Sequence, residues 1–283
     1  MNIKGSTNIV GLIGHPVEHS FSPPMHNAAF DELEMDYAYV AFDVNPNDLK
    51  SAIDGAKSLN VKGFNVTIPH KIEVMQFLDE IDEVADLIGA VNTIDFKDMK
   101  GYNTDGIGAV KAIEEVTDIK NRSVVIAGAG GASRAISFYI AKYGADSITI
   151  LNRNVERAQS LARDVAGSGL ISEVIADSIS EIRDCLSNAD ILVDTTPIGM
   201  YPNINDEPIA LAKDMHEDLV VFDAVYNPNE TVLLKEAIKA GATPVYGIKM
   251  LLYQGAESFR IWTGRDAPVD AMEKALKDTL NLE

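Results

Sequence analysis

The stretch VVIAGAGGASRA (residues 124–135) decides how the second half of this chain folds. VVIA is apolar on both faces of an extended chain, the pattern of a strand covered on both sides. The glycines Gly128, Gly130 and Gly131 then give a tight turn and let backbone N–H groups approach a pyrophosphate at the start of a helix. The match to G-x-G-x-x-G is incomplete, because Ser133 holds the place of the third glycine. Such a turn can also be only a turn. The next strand, SITILNR (residues 147–153), adds a second sign. A site for NAD places a carboxylate at its end to hold the ribose 2′-hydroxyl. This strand ends in Asn152 and Arg153 instead, with Arg157 a helical turn further on, a pattern that suits the 2′-phosphate of NADP. The alternative is a solvated arginine at a helix start.

Outward from this stretch, strand-like and helix-like segments alternate. NIVGLIG (8–14), YAYVAFDV (37–44), GFNVTIP (63–69) and AVNTIDF (90–96) read as strands. MHNAAFDEL (25–33), DLKSAIDGAKSL (48–59) and KIEVMQFLDEI (71–81) read as helices. The rhythm restarts after about residue 122 and continues through DILVDTTPIGM (190–200) and LVVFDAV (219–225). An α/β protein with parallel sheets is expected, in two domains. Two helical stretches close the sequence with no further strand, so the first domain is expected to be discontinuous.

Lys and Arg number 24 against 43 Asp and Glu, a formal charge of −19. That field repels nucleic acid and anionic membranes, and any anionic substrate needs a local positive site. The single cysteine, Cys185, cannot form an intrachain disulfide and reads as a core thiol. No targeting signal and no apolar run of about 18 residues is present, so a soluble, cytoplasmic protein is expected.

Several polar residues stand at strand and helix ends, where ligands gather in open α/β sheets. GFNVTIPHK (63–71) alternates apolar and polar residues until Pro69, then delivers Lys71 to the end of a buried strand. In HSFSPPMHNAAF (19–30), Ser22 reads as an N-cap before Pro23, and with Ser20 it makes a cradle for a carboxylate. Asn92 begins a strand in GAVNT, and Asp105 opens a helix in GYNTDGIG. The five histidines form no metal-ligating pattern, so no metal is expected.

In this order, GHPVEHSFSPPMHN, NVTIPHK, GAVNT, NTDG, AGAGGASRA, NRNVER, Gly199–Met200 and GIKMLLYQGAESFRIWTG resemble the shikimate dehydrogenases over residues 9–264. The resemblance implies an NADP-dependent reductase taking 3-dehydroshikimate to shikimate. It implies a substrate domain (1–108 and 248–283) completed by the C-terminal helices, around a Rossmann-type NADP domain (109–247). Carried over by motif, Lys71 and Asp105 are the catalytic pair. Ser20 and Ser22 hold the substrate carboxylate; Thr67, Asn92, Asp105, Gln254 and Tyr226 serve the ring. Gly128, Ala129, Gly130, Gly131 and Ala132 cradle the pyrophosphate, and Asn152, Arg153 and Arg157 the adenosine phosphate. Val225, Gly247, Met250 and Glu83 reach the nicotinamide. No role is carried over for Thr196 or Pro197, where the motif departs from the family. The expected partners are a small-molecule substrate, with neither nucleic acid nor membrane, and a homodimer is the state to test.

The chemistry this implies answers why Lys71 is there: reduction of a ring carbonyl leaves an alkoxide, and an ammonium beside a carboxylate supplies charge and a proton. A sister enzyme acting on quinate, and a catalytically silent NADP-binding regulator, are the rival readings.

Overall fold

The computed structural model describes residues 3–280. They form two compact units, divided between Thr104 and Asp105 and again between Leu251 and Leu252.

The first unit holds β1 (Asn8–Gly14), α1 (Ser22–Glu32), β2 (Tyr37–Asp43), α2 (Leu49–Ser58), β3 (Gly63–Val66), β4 (Glu80–Ile81), α3 (Glu83–Ile88), β5 (Thr93–Asp95) and β6 (Lys100–Tyr102). The sheet order is β2-β1-β3-β5-β6-β4. It is mixed rather than parallel: β5 runs antiparallel to both β3 and β6. The few residues between β5 and β6 allow only a hairpin, since a parallel crossover needs a dozen or more. Ile13, Ile53, Phe64, Val66, Val74 and Ile94 fill the core on one side of this sheet.

The helix expected over residues 71–81 does not form. Residues Glu73–Phe77 make a short 3-10 turn, and Leu78 is already extended at φ −106°, ψ 146°. Glu80 and Ile81 then pair with Lys100 and Gly101 on β6. The edge of β6 carries backbone groups that need partners, and pairing them outweighs the helical pattern. β3 also stops at Val66, three residues short of Pro69, and Ile68 is 73% exposed where alternation would bury it.

The second unit holds α4 (Asp105–Glu114), β7 (Ser123–Ala127), α5 (Gly131–Lys142), β8 (Ser147–Asn152), α6 (Val155–Gly167), β9 (Val174–Ser178), α7 (Ile182–Leu186), β10 (Ile191–Asp194), β11 (Val220–Asp223), α8 (Val232–Ala240) and β12 (Thr243–Tyr246). Its strand order is β12-β11-β10-β7-β8-β9, and every neighbouring pair is parallel. The chain order reverses between β7 and β10, the switch point at which doubly wound sheets bind ligands. Leu151, Leu192, Val221, Leu233 and Leu234 make one core of this unit, with Cys185 packed half-buried against it.

α9 (Gly247–Thr263) contains the second division, so its first turn belongs to the second unit and the rest to the first. α10 (Val269–Leu280) follows and packs on α1. The cuts expected from sequence, after residues 108 and 247, fall inside α4 and after the first residue of α9. Among the described residues no helix is long and apolar enough to cross a membrane.

Candidate functional site

At the switch point of the second unit lies a cleft of about 670 Å³, within the range of roughly 300–1,000 Å³ usual for ligand sites. Gly128, Ala129 and Gly130 from the β7–α5 turn line it, with Asn152, Arg153 and Arg157 from the end of β8 and the first turn of α6. Gly128 has φ +106°, and a Cβ there would lie 2.3 Å from Thr195 Oγ1, so only glycine fits. At Gly130 and Gly131 a Cβ would meet nothing within 4 Å, which leaves that backbone open to a ligand. Gly130 caps α5 without a side-chain bond, so the helix keeps orphan N–H groups for an anion. Ser133, buried, donates its hydroxyl to the Gly128 carbonyl at 2.8 Å and ties the turn to the helix. Its position in the motif is therefore occupied by a brace rather than by a mere small residue. The residues present fit a dinucleotide with a 2′-phosphate. Gly131 and Ala132 occupy the first turn of α5 rather than the lining.

The far wall escaped the sequence reading. Thr195, Thr196, Pro197 and Ile198 from the loop after β10 line the cleft, as do Ser180 and Glu207. The signal for the loop was available only through strand order, because β10 becomes the neighbour of β7 only in the folded sheet.

In the first unit a hydrogen-bonded cluster surrounds Asn92, which is 3% exposed. Its Nδ2 donates to Thr104 Oγ1 at 3.0 Å and to Gln254 Oε1 at 3.2 Å, while its Oδ1 accepts the Thr104 N–H at 2.7 Å. Behind it, Asn65 Nδ2 donates to Thr93 Oγ1 and to Ser258 Oγ, and the Tyr39 hydroxyl donates to Asn65 Oδ1 at 2.8 Å. A network satisfied in this way holds its members in one geometry. Lys71 is anchored beside Asn92, for its carbonyl accepts the Val91 N–H at 2.8 Å. His70 is buried and gives its Nε2–H to the Val44 carbonyl, leaving Lys71 as the candidate of this stretch. The Thr67 N–H is held by the Ile13 carbonyl.

Ser22 is not the N-cap. The helix already includes it, the capping position is Phe21 at φ −87°, ψ −3°, and no side chain caps the end. The chain coils one residue earlier than expected, with prolines following at positions that need no donor. Ser20 Oγ instead accepts the Ser22 N–H at 3.2 Å. Both hydroxyls stand half-buried at the start of α1. Beneath them His26 is fully buried, stacked on Tyr39 at 4.4 Å, and burial lowers its pKa to about 3.

The remaining expected residues are distributed over both units. Glu83 is the exposed first residue of α3 in the first. In the second, Asp105 opens α4, where the helix dipole favours a carboxylate. Val225 is buried and Tyr226 exposed after β11, and Gly247 and Met250 lie in the first turn of α9.

Comparison with known proteins follows the same division. The profile described as shikimate dehydrogenase substrate binding domain matches residues 12–94, and shikimate/quinate 5-dehydrogenase matches 110–231. The shikimate 5′-dehydrogenase C-terminal domain matches 247–277. A shikimate dehydrogenase (NADP(+)) of Methanobrevibacter smithii is 71% identical over 280 residues, covering 99% of this chain and 100% of that one. A crystal structure of shikimate dehydrogenase in complex with NADP+ superposes with TM-score 0.92 at 52% identity, over 99% of this chain and 98% of the other. The Listeria monocytogenes shikimate 5-dehydrogenase, in complex with shikimate and NAD, gives TM-score 0.93 at 35% identity over 98% of each chain.

Proposed function

The chain belongs to the shikimate dehydrogenase family, and from that premise we propose that it reduces 3-dehydroshikimate reversibly to shikimate with NADP, in aromatic amino-acid biosynthesis. The observation that carries the reading is similarity along the whole chain to an enzyme of that name; a nucleotide-sized cleft in the second unit and an ordered polar cluster in the first support it.

NADPH, when bound, supplies the hydride that reduces the ring carbonyl. The β7–α5 turn receives the pyrophosphate on its backbone N–H groups, and Arg153 with Arg157 receives the 2′-phosphate. Ser20 and Ser22 donate to the substrate carboxylate. Asn92 and Gln254, fixed against each other, present donors and acceptors to the ring hydroxyls, with Thr67 and Tyr226 completing the set. Lys71 offers its ammonium to the oxygen on which negative charge develops and holds the proton that oxygen takes, while Asp105 orients it. Val225, Gly247, Met250 and Glu83 serve the nicotinamide side. A homodimer in the cytoplasm, with no nucleic-acid partner, completes the reading.

Oxidation of shikimate followed at the nicotinamide absorbance tests it, with quinate as the competing substrate. Lys71→Ala and Asp105→Asn should each lower kcat by about 10²- to 10⁴-fold. NADP affinity should hardly change in Lys71→Ala, because the cofactor cleft belongs to the other unit. Near-normal turnover in either variant removes the mechanism.

A further inference from the structure

Two carboxylates outside this machinery are buried side by side. Asp194 ends β10 and Asp223 ends β11, and the two are register partners on adjacent parallel strands. Such partners lie about 5 Å apart with their side chains on the same face of the sheet. Asp194 is 1% exposed and Asp223 0%.

Each carboxylate holds the loop that leaves its strand. Asp194 Oδ1 accepts the Thr196 N–H at 2.7 Å. Asp223 Oδ1 accepts the Val225 N–H at 2.9 Å, and its Oδ2 accepts the Thr231 hydroxyl at 2.6 Å. Thr231 Oγ1 in turn accepts the Leu234 N–H and caps α8. The first loop is a wall of the cofactor cleft. The second packs on the start of α9 so closely that a Cβ on Gly247 would lie 2.5 Å from the Val225 carbonyl oxygen.

Among the described residues no cation balances the pair. On the β7 side Asp194 faces Ala127, and on the β12 side Asp223 faces Tyr246, whose phenol is raised by burial and by Glu230. α8 contributes the neutral Thr231. Among the described residues, the charge acting on Asp194 is that of Asp223, and Asp223 is met by the Thr231 hydroxyl and the Val225 N–H. Burial, and for Asp194 its partner's charge, raise both carboxyls well above the ordinary range. Two anions so placed cannot both ionise.

We propose that Asp194 and Asp223 carry one proton between them at neutral pH and act as a positioning pair, holding the loop of residues 195–198 and the loop of residues 224–226 in the arrangement that binds the cofactor. The shared proton leaves one carboxyl neutral, and both retain the acceptors that fix the loops. Loss of the last proton leaves two adjacent anions whose repulsion loosens the cleft wall. The idea rests on the cleft being the NADP site only for the binding part of its test.

Asp194→Asn is the informative variant, because its Oδ1 can still accept from Thr196 while its amide supplies a permanent donor. In the native apoprotein, infrared spectra at neutral pH should contain a protonated-carboxyl C=O band, lost in Asp194→Asn. The sign for stability follows from the raised pKa values: the contribution is present at low pH and lost as pH rises through them. The unfolding constant of the native protein should therefore rise, relative to the variant, by up to about tenfold per pH unit from neutrality until the last proton leaves the pair, and level off beyond it. NADP should bind the native protein about threefold or more weaker at alkaline than at neutral pH, whereas Asp194→Asn should show no such loss. Comparing the two proteins cancels the titration of the 2′-phosphate itself.

Absence of the band, or parallel pH–stability curves, overturns the shared proton. A band with identical pH dependence of NADP binding in both proteins overturns the positioning role. A protein that has the band but binds no NADP at any pH sinks the cofactor reading and not the shared proton. If Asp194→Asn does not fold, Asp223→Asn and the native spectrum decide the matter.

Discussion

At the end of β8 a guanidinium, Arg153, stands where a carboxylate would repel a 2′-phosphate. A bond to a charged group contributes about 1.5–3 kcal/mol, so Arg153→Ala should weaken NADP by roughly 10- to 150-fold. NAD, which has no phosphate there, should be nearly unaffected, and equal losses for both cofactors in equilibrium titrations would refute the assignment. His26 makes a separate claim. Burial holds its imidazole neutral, with a pKa of about 3 against 6.5. The unfolded chain binds that proton more readily, so the contribution is complete above about pH 6.5 and fades as pH falls toward 3. His26→Phe, which keeps an aromatic ring against Tyr39, should lose up to about 1.4 kcal/mol less stability per pH unit on acidification than the native protein. Urea unfolding at several pH values measures the difference. The carboxyl pair has the opposite slope, so the two effects oppose one another in mild acid and only the variants separate them. Arg153 was legible in the sequence because its position follows from one strand. The pair was not, because its two members are 29 residues apart and meet only through strand register.

Among the elements, the β7–α5 turn bears the most constraint. Gly128→Ala places a methyl 2.3 Å from Thr195 Oγ1 at φ +106°. Strain of about 1–3 kcal/mol should appear as a lower Tm, and NADP affinity should fall with it. At Gly130, where a Cβ meets nothing in the protein, Ala should leave Tm nearly unchanged and weaken NADP alone. Equal thermal loss in both variants would contradict this division. The same elements explain how far sequence could be read. β7, β10 and β11 are apolar on both faces and announce a covered parallel sheet. β9 alternates between half-buried and exposed residues, and β4 has two residues; neither carries a pattern that survives without its partner strand. The fold revises the reason for singling out Lys71. It does not extend from β3 but follows a turn, and its place is fixed by Val91 beside β5. Ser20 and Ser22 do stand together at the start of α1, but neither caps it: Ser20 Oγ accepts the Ser22 N–H and the capping position is Phe21.

At the scale of the molecule, a surface with a formal charge of −19 makes the cations of the cleft, Arg153 and Arg157, local exceptions. The first unit is encoded in two pieces. Its sheet is complete by Tyr102, yet residues beyond Leu251 finish its interior: Trp262 donates to the Ile94 carbonyl, Ser258 joins Asn65, Phe259 stacks on Phe30, and Gly255 leaves room for Met25. The second unit is continuous, and its cleft is lined by residues between Gly128 and Ile209. A chain ended after Leu251 should therefore retain NADP binding, lose shikimate turnover, and bind an apolar dye that the full chain does not. Failure to bind NADP would show that the second unit depends on the tail. The same arrangement has a consequence for biogenesis. Residues 105–251, 147 in all (251 − 104), must be translated before the missing piece arrives. At about 5–20 residues per second the early segment waits roughly 7–30 s with Phe30, Met25 and Ile94 lacking their final partners. On the ribosome, then, the half of the protein that is made first is the half that matures last, and it is the client a nascent-chain chaperone would meet.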